Sequence, residues 1–195
     1  MTTTRLEAFS DAVLAIVITI MVLELHPPDE PSLSALWHET GVGFLTYVLS
    51  FAYIGIYWNN HHHLFQLVDR VTGPTLWANL HLMFWLSMYP FTTRWMDESD
   101  LARTPVIVYG VNLILAALAY LLLEIAIKQV PDERERLRTV LAGGVKENVS
   151  VVLYVTGIVI AVFLPPWVAL VPFGVVALVW FVPDRRVERY LANAS

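Results

Sequence analysis

The chain has 195 residues, of which 57% are hydrophobic and 15% charged, with a formal net charge of −5 and no cysteine. A mean hydropathy of +0.60 excludes an ordinary soluble domain and reads as an all-α integral membrane protein whose apolar surface is solvated mostly by lipid. The missing cysteines exclude disulfides and thiolate metal sites; no nucleic-acid partner is expected.

A span needs about 20 residues at a rise of about 1.5 Å each. That ruler predicts six transmembrane helices in one domain over residues 1–195, at about 5–25, 36–60, 74–94, 104–128, 147–164 and 166–182. The first begins Arg5-Leu-Glu-Ala-Phe9-Ser10-Asp11 and then runs almost wholly apolar to Leu25. It lacks a short apolar core followed by a cleavage site, so it is expected to remain as a span. Ionisable groups in its first two turns have no use in a plain anchor; at such depth they face protein or a water-filled path. Further along, Ile16, Thr19, Ile20 and Leu23 fall at i, i+3, i+4 and i+7 and share one stripe. Around a symmetry axis the stripe makes apolar rings, able to close a pore by dewetting, with one hydroxyl ring between them. By spacing alone the commoner reading is helix–helix packing, with Thr19 bonded to its own backbone.

The second span opens on Thr40-Gly41-Val42-Gly43-Phe44, which has the wrong residue order and surroundings for a carbonyl selectivity filter and suits close helix packing. It ends Tyr57-Trp58-Asn59-Asn60-His61-His62-His63. Successive helical positions point about 100° apart, so three adjacent histidines cannot ligate one ion, and a structural or interfacial role is expected. The third span carries Trp77, Asn79 and His81, then Pro90-Phe91-Thr92-Thr93-Arg94. His81 lies at the depth of Arg5, Ser10 and Asp11, which predicts a polar cluster of these residues with Asn79 or Asn60. Such a cluster is either a structural lock on the first helix or a titratable switch. In the fourth span, Glu124 and Lys128 form an i, i+4 ion pair. Pro165-Pro166 separates the last two spans as a tight helical hairpin.

Charge placement orients the bundle. With the N-terminus inside, Arg5, Arg70, Lys128, Arg134, Arg136, Arg138, Lys146, Arg185, Arg186 and Arg189 are cytoplasmic, and of the 12 basic residues only Arg94 and Arg103 are outside. This is the positive-inside pattern, with both termini cytoplasmic. The outer loops are acidic, which concentrates cations. Enzyme signatures are absent, so no catalysis and no cofactor are expected. A unit this small has little room for an internal ion path, so a pore forms most easily between subunits.

The run Arg5-x-x-x-Phe9-Ser10-Asp11-Ala12, with Ala15-Ile16-x-Ile18-Thr19 and Leu23-Glu24-Leu25, resembles the first-helix signature of the transmembrane protein 175 family. Trp58-x-x-His61-His62-x-Leu64-Phe65 and Asn79-Leu80…Pro90-Phe91-x-Thr93 extend the resemblance, which covers residues 5–95. It departs at Ala12, where many relatives have Gly. The resemblance implies a single-repeat, homotetrameric potassium channel in a prokaryotic plasma membrane, with potassium as permeant ion and the first helices lining a central pore. It implies Ile16 and Leu23, with Ile20 beside them, as the gate, and Thr19 as the selectivity residue. It implies Arg5, Phe9, Ser10 and Asp11 as the signature that ties the first helix to the next two, with Trp77 and His81 as partners. The rival readings are a proton-linked transporter using Asp11 and His81, and a non-conducting assembly factor.

Overall fold

The computed structural model describes residues 3–68, 70–130, 137 and 145–181. The basic residues Arg134, Arg136, Arg138, Arg185, Arg186 and Arg189, expected on the cytoplasmic side, lie outside the described residues, as does the end of the sixth expected span. The helices are α1 (Thr3–Leu23), α2 (Leu33–Phe65), α3 (Gly73–Ser87), α4 (Tyr89–Glu98), α5 (Arg103–Ile127), α6 (Val145–Phe163) and α7 (Leu170–Phe181), with a 3₁₀ turn at Pro166–Ala169 before α7. Four are long and apolar enough to cross a membrane: α1, α2, α5 and the 146–163 stretch of α6. The third and sixth spans are each built from two shorter pieces, which gives the six-span bundle.

Local chemistry sets the ends. Ser32 caps α2 by accepting from the Ala35 N–H at 3.1 Å. Thr72 caps α3 in the same way from Thr75, with Pro74 in its first turn. Two boundaries differ from the sequence expectation. α2 has 33 residues, about 50 Å at helical rise, so the three histidines belong to its inner end. The third span is not one helix: it breaks at Met88, because Pro90 has no N–H to give to the preceding turn and its ring collides there. After α4, Asp100 and Leu101 adopt left-handed φ values of 49° and 57°, and the chain reverses into α5.

α5 is central, packing on α3, α4 and α6, with Tyr109, Leu113, Ala116, Ala119 and Leu123 wholly buried. Around it sits an aromatic core. The Tyr53 ring lies tilted 6.2 Å from both Tyr89 and Tyr154, and Tyr109 lies 6.0 Å from Tyr89 and from Phe173. Tyr53 Oη donates to the Phe173 carbonyl at 2.7 Å, and Ser50 joins Thr93 at 2.7 Å and Tyr109 at 3.1 Å. Hydroxyls buried away from water need such partners. Phe173 fits because two helices present glycine to it. A Cβ on Gly157 would stand 2.4 Å from the Phe173 ring, and one on Gly110 would stand 2.8 Å from it.

Gly157→Ala forces that ring out of place, and overpacking of this kind costs about 1–3 kcal/mol. A lower melting temperature of the detergent-solubilised protein is the expected result.

Candidate functional site

α1 has two faces with opposite fates. Leu6, Ser10, Leu14, Val17 and Met21 are buried against α2, α3 and α4. Ile16, Thr19, Ile20 and Leu23 point away from the subunit, Ile16 at 58% and Leu23 at 81% exposure. Thr19 Oγ1 donates back to the carbonyls of Ala15, at 3.0 Å, and Ile16, at 2.9 Å. Its only proton is therefore occupied, and the oxygen offers lone pairs to its surroundings. Such a group coordinates a cation and gives nothing to an anion.

The inner end of α1 is fastened by a buried polar relay. Asn79 Nδ2 of α3 donates to Ser10 Oγ at 3.0 Å, and Ser10 Oγ in turn donates to the Leu6 carbonyl at 3.0 Å. The Asn79 carbonyl oxygen lies 2.7 Å from His61 Nε2 of α2, so that nitrogen carries the proton. All three side chains are buried. Beside the relay, two rungs join α1 to α2. Asp11 Oδ1 accepts from Trp58 Nε1 at 3.0 Å, and Glu7 Oε1 lies 3.5 Å from His62 Nδ1. Trp58 and His62 stack at 16° between planes, one helical turn apart, so the rungs support each other.

Ser10 and Asp11 thus meet the neighbouring helices, whereas Arg5 and Phe9 lie on the exposed side of α1. His81 and Trp77 stand elsewhere. His81 accepts from Trp85 Nε1 at 2.8 Å, and Trp77 is 75% exposed. The imidazole beside Ser10 is that of His61, and the indole on Asp11 is that of Trp58. Asp11 and His81 hold different partners and form no joint acid–base pair. The signal that marks His61 is periodicity: with α2 helical to Phe65, it falls four residues after Tyr57 and seven after Ile54, both buried. His62 instead shares a face with Trp58, so the three histidines diverge.

The outer end of α1 has its own clamp. Arg94 Nη1 of α4 meets Glu24 Oε2 at 2.5 Å while its Nε donates to Glu98 at 2.7 Å. In the last turn of α4, past the span, Asp97 packs so tightly on α2 that a Cβ at Gly43 would lie 2.5 Å from its Oδ2. Burial pushes the Asp97 carboxyl above the ordinary carboxylate range, and His26 draws it partly back.

Residues 5–90 match the family model described as endosomal/lysosomal potassium channel TMEM175. A potassium channel of Chryseobacterium sp. is 49% identical over 191 residues, 98% of each chain. The human endosomal/lysosomal proton channel TMEM175 is 39% identical over 112 residues, 52% of this chain and 22% of that protein. The crystal structure of a lysosomal potassium-selective channel TMEM175 homolog from Chamaesiphon minutus superposes with a TM-score of 0.74 at 26% identity, covering 91% of this chain and 95% of that one.

Asn79→Leu strips the relay of its centre and leaves the buried His61 Nε2–H without its acceptor, at about 1–3 kcal/mol, while Ser10 keeps its bond to the Leu6 carbonyl; thermal unfolding reads the loss. Asp97→Asn has the opposite sign. A carboxyl raised in the folded state costs stability while ionised, above its raised value, and that cost disappears as pH falls below its unfolded value, about 3.9. The variant should therefore melt higher than the parent at neutral pH, and the two curves should converge in acid.

Proposed function

This chain belongs to the TMEM175 family, and we propose that it is a potassium channel in which four copies place their α1 helices around a central pore. The observation that carries the reading is the outward stripe of Ile16, Thr19, Ile20 and Leu23, on a helix whose other face is locked to its own subunit. Support comes also from the near full-length similarity to a potassium channel of Chryseobacterium sp.. The protein is a multi-pass membrane protein, and its basic residues favour cytoplasmic termini in a prokaryotic plasma membrane.

Ile16, Ile20 and Leu23 form the gate. Apolar side chains that converge on an axis leave a narrow path too poor in hydrogen bonds to stay wet, and an ion cannot shed its hydration shell there. Opening requires the α1 helices to move apart or rotate. Thr19 supplies the polar ring between these constrictions. Its hydroxyl proton is turned into the helix, so four oxygens face the axis as acceptors and replace part of the ion's water. Potassium, less tightly hydrated than sodium, loses less by that exchange. A single hydroxyl ring discriminates modestly, because it offers fewer ligands than a filter of stacked carbonyls. The acidic outer loops raise the local cation concentration at the mouth. Conduction is passive and uses no cofactor.

Flux into liposomes tests the proposal. The protein should pass potassium down its gradient without a co-substrate. Thr19→Val, which keeps the shape and removes the oxygen, should reduce potassium over sodium discrimination. Ile16→Asn should wet the constriction and raise basal flux. Flux that required a proton gradient would instead identify a coupled transporter.

A further inference from the structure

A crevice lies between α2, α5, α6 and α7, away from the stripe, and no α1 residue lines it. Its cavity volume is about 80 Å³, and the crevice is open on one side. Five aromatic rings form much of its wall: Tyr53, Tyr57, Tyr120, Tyr154 and Trp180. Leu118 and Leu121, 43% and 40% exposed, border its lipid side. Its polar groups gather at the cytoplasmic end, where Ser150 Oγ accepts from Trp180 Nε1 at 2.7 Å.

Two carboxylates line this end, Glu124 and Glu147, and among the described residues no lysine or arginine does. Glu124 is already served by Lys128 Nζ at 3.2 Å. Glu147 is not: its Oε2 is buried and has no hydrogen-bond partner. A buried carboxylate oxygen without a donor is costly, and it is the group a ligand would satisfy. The aromatic wall adds to the same preference, because ring faces attract cations. The Trp180 ring already has a cation beside it, Lys146 Nζ at 5.6 Å from its centre.

We propose that this crevice binds an amphiphile with a primary ammonium head. The ammonium donates to Glu147, and the apolar tail lies along Ile56, Ala117 and Leu121 toward the lipid. Two sources share this chemistry, a free alkylamine and the headgroup of an ethanolamine phospholipid. The proposal stands apart from ion conduction, and its test needs no flux.

The test uses the full-length protein in neutral detergent, followed by melting temperature and native mass spectrometry. Octylammonium and octanol are titrated in parallel, and phosphatidylethanolamine is compared with phosphatidylglycerol. Octylammonium should raise the melting temperature at concentrations about tenfold below those octanol needs. Glu147→Gln should erase that advantage, and Leu121→Trp, which fills the crevice and leaves the carboxylate, should abolish binding of both. Retention of phosphatidylethanolamine over phosphatidylglycerol identifies the lipid as the source, and a response confined to octylammonium identifies the free amine. Equal responses to octylammonium and octanol, no response to any probe, or an ammonium response that survives in Leu121→Trp overturns the proposal. This last arm decides even if Glu147→Gln fails to fold.

Discussion

Everything about this subunit depends on holding one helix by one side only. α1 must be fixed firmly enough to stay in register while its opposite face remains free of its own subunit. Apolar packing cannot achieve this in lipid, because hydrocarbon tails solvate leucine as well as another helix does. The Ser10–Asn79–His61 relay can, since these groups find no substitute partner in a bilayer. Each hydrogen bond there also has a direction, so the relay sets the rotation of α1 as well as its attachment. Rotation decides which residues face away from the subunit: a turn of about 100° would replace Ile16 with its neighbour.

The relay needs a stiff foundation, and the aromatic core provides one. Tyr53, Tyr89, Tyr109 and Tyr154 come from four different helices and pack in one cluster, in which Tyr109 and Tyr154 meet Phe173 from a fifth. Inside the core the Tyr53 hydroxyl is spent on a backbone carbonyl and the Tyr109 hydroxyl on Ser50, while the Tyr89 hydroxyl is buried without a hydrogen-bond partner. Gly110 and Gly157 allow the close approach that lets a single phenylalanine tie α5, α6 and α7 together.

The six-span architecture was legible because it rests on local composition: a run of about 20 apolar residues is visible in any window. The stripe on α1 was legible for the same reason, since its four positions lie within eight residues. What could not be read is long-range. Nothing in a window around Tyr53 indicates that Tyr89, Tyr109 and Tyr154 will surround it. The lock is legible as a type, with Ser10, Asp11 and Asn79 among its expected members, but depth adds His81 to it and the family resemblance adds Trp77. Depth does not specify azimuth, and these two residues fall on the outward face of α3. His61 was hidden by its neighbours, since a triple histidine suggests a metal before it suggests three residues facing three ways.

The break at Met88 divides the third span into pieces that grip α1 at different heights. α3 carries Asn79, which holds the inner end of α1, and α4 carries Arg94, which holds Glu24 at the outer end. A continuous helix would make these grips rigidly coordinated, so that any displacement at one became a displacement at the other. A proline-interrupted one mounts α1 like a shaft in two separate bearings. The outer bearing is a half-exposed ion pair and inexpensive to release, while the inner one is buried and is not. The outer end of α1 is therefore the more readily released of the two, and it is the end that carries Ile20 and Leu23.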